Sequence, residues 1–145
     1  MTHKELELEF QKLNLEYTKK KKDIARRKEE VNQRKLDALL ESDDAYHAEK
    51  RARLAKISVL RTEKAALEFG SIKRAQLETE CRNLDAELSV LRDDNERRKH
   101  SINYAAYAER RELDEKCRLA NEWYEFEKQR LMKEYSTEGY LDAKA

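Results

Sequence analysis

The sequence predicts an all-α protein of long helices, forming an elongated coiled coil or helical bundle. Three observations carry that expectation. The 145 residues include no Pro and two Gly, so the residues that break helices and shape loops are nearly missing. Charged residues make up 43% and hydrophobic ones 39%. That is little material for a thick globular core, but enough for a thin seam between helices. Finally, apolar residues recur at alternating steps of three and four, the rhythm of a helix seam. Seven Tyr, no Pro and only two Gly also set the chain apart from disordered segments.

The first helix is expected over about residues 3–41. Thr2 can cap it, and Glu5 three residues on completes a capping box. Leu6, Phe10, Leu13 and Tyr17 open a seam that continues, by the same count, through Lys20, Ile24, Arg27, Val31, Arg34 and Ala38. The middle of this seam therefore alternates apolar with basic positions. Acid-first pairs at i,i+4, such as Glu16–Lys20, Asp23–Arg27 and Glu30–Arg34, support the helix from its surface.

The turn is expected near residues 41–44. Ser42 there can cap a new helix, and Asp43 and Asp44 would face its positive end. A second helical region is expected over about 43–135, with candidate breaks near 70 and 93. Gly70-Ser71 can end one helix and cap another, and Asp93 with Glu96 makes a further capping box. A small-residue stripe, Ala45, Ala48, Ala52, Ala55, Val59, Thr62, Ala66 and Phe69, is expected to pack against a neighbour. The strongest seam is Leu77, Cys81, Leu84, Leu88 and Leu91, continuing through Asn95, Arg98 and Ile102. Asn95 at a seam position can fix register or strand number. Ser136–Gly139 should stop the last helix and leave a short tail, residues 136–145. The whole reads as one elongated helical domain.

The motifs of chemistry are missing from the sequence. Asp44 and His47 have the spacing of half a di-iron motif, but there is no second copy. There is no HExxH and no clustered Cys/His set, and two isolated Gly cannot build a phosphate loop. The sequence therefore predicts no metal, no cofactor and no enzymatic activity. Cys81 and Cys117 form no CxxC and suit free thiols in a reducing compartment. The charged N-terminus and the lack of any apolar run near about 20 residues predict a protein kept inside a cell and off membranes. The compartment expected is the cytoplasm, or a host cell or virion if the protein is viral.

Two surfaces stand out for binding. The last third carries most of the aromatic rings, and Trp123, Tyr124, Phe126, Tyr135 and Tyr140 are the predicted docking residues, since Trp and Tyr dominate protein-binding hot spots. The other reading is that these rings fill the protein's own core against Leu6, Phe10, Leu13 and Tyr17. The basic stretch 19–35 places Lys19, Lys22 and Arg26 on one face that could follow phosphates. With a formal net charge of +1, the chain as a whole has little long-range pull on nucleic acid. The expected function is therefore a structural or assembly role through helix–helix packing, by self-association or within a larger complex. A nucleic-acid accessory role through 19–35 is the alternative.

Overall fold

The computed structural model of the chain shows two α-helices packed against each other as a hairpin. They are α1, His3–Ala65 (63 residues), and α2, Ile72–Lys144 (73 residues). The structure describes the backbone of residues 1–144 and the side chains of residues 1–137. Helix α1 starts as its sequence dictates. The Thr2 hydroxyl accepts the Glu5 N–H at 3.1 Å, and the Leu6 N–H donates to the Thr2 carbonyl at 3.0 Å.

The hairpin turns at residues 66–71. Helix α1 tightens at its end through two i→i−3 bonds, Ala66 N–H to Glu63 O and Leu67 N–H to Lys64 O. A β-turn follows, closed by the Ser71 N–H donating to Glu68 O at 3.3 Å. Gly70 holds its third place with φ +81°, and among the described residues no non-glycine has positive φ. A positive φ confined to that place defines a type II turn, which is why a glycine stands there. Ser71 then caps α2: its hydroxyl accepts the Arg74 N–H at 3.2 Å. Arg74 also secures the turn from the other side. Its guanidinium donates to Leu67 O at 3.1 Å and lies 4.4 Å from the Phe69 ring centroid.

The turn expected at 41–44 does not form. Helix α1 runs through it, because Ser42 and Asp43 spend their polar atoms across the hairpin instead of on a cap. The Ser42 hydroxyl donates to Asn95 Oδ1 at 2.6 Å, and Asn95 Nδ2 donates to Asp43 Oδ1 at 2.9 Å. Helix α2 likewise runs through Asp93–Glu96. At its far end Ser136 and Thr137 stay helical. The Thr137 hydroxyl donates to the Lys133 carbonyl at 2.8 Å instead of breaking the helix.

The seam also differs in phase from the simple count. Between residues 20 and 35 of α1 the half-buried lysines are Lys21, Lys28 and Lys35, while Lys20, Arg27 and Arg34 are exposed. The reason is an extra step of four: Leu13, Tyr17, Lys21, then Ile24. Such a stutter locally unwinds the seam. Helix α2 does the same at Leu91, Asn95, Lys99 and Ile102, so Lys99 replaces Arg98 at the seam. Long lysine stems can lie along apolar surface while their ammonium groups reach out. Lys28 meets Asp114 at 2.5 Å, Lys64 meets Glu78 at 3.2 Å and Lys99 meets Asp43 at 3.4 Å, each on the facing helix.

The chain divides into two compact units, residues 1–33 with 106–145, and residues 34–105. The second unit holds the turn. Its buried apolar side chains are Ile57, Leu77 and Cys81, with Leu84, Leu88 and Leu91 half-buried beside them. Its polar layer centres on Asn95, 3% exposed, with Ser42 buried against it. The Arg98 guanidinium completes the layer by donating to the Ser42 hydroxyl at 3.4 Å. A satisfied polar layer in an apolar seam penalises every other register, since a slip would strand its donors and acceptors. The small-residue stripe does not face α2: Ala45, Ala48, Ala52 and Ala55 are exposed, as is Val59. Cys81 and Cys117 are free thiols.

The turn and the ion pairs each lead to a prediction. Gly70→Ala meets no atom within 4 Å of the new Cβ, so its cost is backbone strain alone, about 1–2 kcal/mol. Gly70→Asn should cost less, and urea denaturation followed by circular dichroism measures both. The hydrogen bond from Asn95, aided by the Lys99 and His47 charges, holds the Asp43 carboxyl below the ordinary range. Lys64 does the same for Glu78 and Lys28 for Asp114. A depressed carboxylate stabilises the fold above its unfolded pKa, and that stability is lost as pH falls through the folded value. The stabilisation from these three pairs should therefore persist down to about pH 5 and fade below about pH 4, with Asp43→Asn flattening the decline.

Candidate functional site

The first unit carries the aromatic rings. Leu6 and Leu13 on α1 and Leu131 on α2 are buried together, with Met1, Phe10, Trp123, Tyr124 and Tyr135 packed against them. A second cluster joins Ile24 and Val31 to Ala106, Leu113 and Ala120, with Cys117 at its edge. The alanines keep this part of the seam narrow. Tyr17 and Tyr124 stack with ring centroids 4.2 Å apart and planes 20° apart. Both hydroxyls find acceptors on the opposite helix. Tyr17 donates to Asn121 Oδ1, and Tyr124 donates to Asn14 Oδ1 at 2.5 Å. Lys21 reaches into the same layer, its Nζ 3.3 Å from both Cys117 Sγ and Asn121 Oδ1.

Beside this core lies an open groove of about 380 Å³, lined by Lys20, Asp23, Ile24, Arg27, Lys116, Leu119, Ala120 and Trp123. The Lys20 ammonium sits 3.6 Å from the centroid of the Trp123 ring, close enough for a cation–π contact. Leu119 is 50% and Phe126 66% exposed on the same helix. Three cations and one carboxylate line the groove. Arg26 bonds Asp23 at 2.7 Å and Arg27 approaches it at 3.1 Å. The Arg26 hydrogen bond first, then the charges of Arg27, Arg26 and Lys116, hold the Asp23 carboxyl below its usual range. The groove thus offers an apolar, aromatic floor under an excess of positive charge, a setting suited to an acidic amphipathic surface.

The structure separates the predicted docking residues. Trp123, Tyr124 and Tyr135 pack into the unit's own core, as the second reading of these rings expected, while Phe126 faces outward. Tyr140 lies outside the residues whose side chains are described. Of the four consecutive lysines, Lys19 and Lys22 are exposed, but Lys20 is drawn over Trp123 and Lys21 into the seam. Arg26 is exposed and already meets two carboxylates, Asp23 at 2.7 Å and Glu30 at 3.1 Å. The expected Asp23–Arg27 pair forms, and Glu30 also meets Arg26. The sequence reading missed that Lys20 and Trp123 share one surface, because they are brought together only by the hairpin register.

Among the described residues, no group of three or more His, Cys, Asp or Glu is placed to hold a metal ion. No helix of the described residues is long and apolar enough to cross a membrane. The packing divides these side chains into those that hold the fold and those that do not. Leu131→Ala should cost about 2–3 kcal/mol, as buried leucines do. Phe126→Ala should stay within about 0.5 kcal/mol. Paired urea titrations check both, and equal costs would contradict the assignment of Phe126 to the open face. Comparison with known protein families, curated proteins and solved structures returns no match, so the functional reading rests on this chain's own residues.

Proposed function

We propose that this chain is a non-enzymatic assembly protein, a helical hairpin that works by packing partner helices against its outer faces. The observation that carries this reading is the groove of the first unit. There Leu119 stays open to solvent beside the half-buried Trp123, in a lining shared with Lys20, Arg27 and Lys116, and Phe126 is exposed further along α2. Aromatic anchors ringed by charge are the usual centre of a protein interface. The cations favour an acidic helix as occupant. In-cell cross-linking of the full chain, compared with a Leu119→Ala, Phe126→Ala variant of unchanged helicity, tests it. The variant should lose its cross-linked partners, and an unchanged partner set would overturn the reading.

The alternative is phosphate contact through Lys19, Lys22 and Arg26. It keeps two free-facing lysines in its support, while Arg26 is shared with Asp23 and Glu30. If those three cations bound duplex DNA, the logarithm of affinity would fall against the logarithm of salt with a slope of about −3. The assembly reading predicts no binding to a short duplex tighter than about 10⁻⁴ M at physiological salt, measured by fluorescence anisotropy. A steep slope abolished by Lys19→Glu, Lys22→Glu would favour nucleic acid instead.

A further inference from the structure

The second unit has its own open groove, of about 550 Å³, between the exposed alanine face of α1 and the outer edge of α2. We propose that a second copy of this chain fills it, an inference that rests on the assembly reading and names one partner for it.

Three features of the groove point to the same occupant. Ala52 and Ala55 present no side chain beyond Cβ, so an incoming helix can approach close to the α1 backbone, and Val59 beside them is 57% exposed. Second, this unit is short of core. Its buried apolar side chains are Ile57, Leu77 and Cys81, and the Leu84 that lines the groove is only half-buried. A second hairpin laid on this face would cover surface that one hairpin cannot.

The third feature is charge. Lys56 stands on the α1 wall and Glu80 on the α2 wall, and among the described residues neither has an ion-pair partner within its own chain. Glu87, further along the α2 wall, is already held by Arg53 at 3.0 Å. A two-fold axis running along the groove, parallel to the helices, sets α1 of each copy against α2 of the other. Every contact in such an interface occurs twice, with partners exchanged. Lys56 of one copy then meets Glu80 of the other, and the reverse, so a single pairing satisfies both walls. A groove with one charge sign on both walls could not pair with itself in this way.

Light scattering on the full chain across a wide concentration range, with helicity read alongside, tests the inference. The mass should rise from 17.3 kDa to twice that value as concentration increases. Lys56→Glu or Glu80→Lys alone should weaken the dimer by about tenfold or more, because each sets like charges face to face. The two together should restore it. Ala52→Gln, which fills the groove, should weaken it in either charge background. A wild-type chain that stays monomeric at every concentration overturns this inference but leaves the assembly reading, which has its own test in Leu119 and Phe126. A dimer indifferent to all these substitutions places the interface elsewhere and also overturns it.

Discussion

Everything in this fold depends on keeping two long helices in one antiparallel register. Over helices of 63 and 73 residues, a slip of one heptad would still bring many apolar side chains together, so apolar contact alone discriminates poorly between registers. The polar layer supplies the discrimination. Asn95, Ser42 and Asp43 satisfy one another only as they stand, and moving any of them into an apolar layer would leave a buried donor or acceptor unpaired. The tyrosine layer in the other unit works on the same logic. Tyr17 and Tyr124 stack while each hydroxyl meets an asparagine on the opposite helix.

The seam is thin and partly basic, and the surface follows from that. No described side chain falls below 2% exposure. Residues one step off the seam are therefore left in open grooves rather than in a second layer of core. In one unit the groove holds Trp123 under lysines; in the other it holds alanines between Lys56 and Glu80. Helices that cannot bury these faces on themselves leave them open to solvent.

Much of this was legible in the sequence. The missing Pro, the seam from Leu77 to Leu91, the cap at Thr2, Gly70-Ser71 as one of the candidate breaks and the seam position of Asn95 all follow from residue types and spacing. The position of the turn was not, because Ser42-Asp43-Asp44 carries the chemistry of a helix start and of a polar layer equally well. Which use wins depends on whether Asn95 arrives opposite, and that is a long-range fact. The seam phase failed for a related reason. A strict heptad count passes through Lys20, Arg27 and Arg34, while one extra step of four at Tyr17 turns Lys21, Lys28 and Lys35 inward instead. The meeting of Lys20 with Trp123 was within reach once the hinge is set at Gly70, since the two lie about equally far from it along the chain.

The most direct check on the hairpin is a cross-link through its polar layer. In a background of Cys81→Ala and Cys117→Ala, the pair Ser42→Cys and Asn95→Cys replaces two side chains whose polar atoms stand 2.6 Å apart. Mild oxidation of dilute protein should close a disulfide within one chain, read as a faster-migrating monomer on a non-reducing gel. The pair Ser42→Cys and Leu88→Cys should stay reduced. A disulfide that forms only between two chains, or forms as readily at position 88, would mean that α1 pairs with a different helix or in a different register, and would contradict a hairpin held by Asn95.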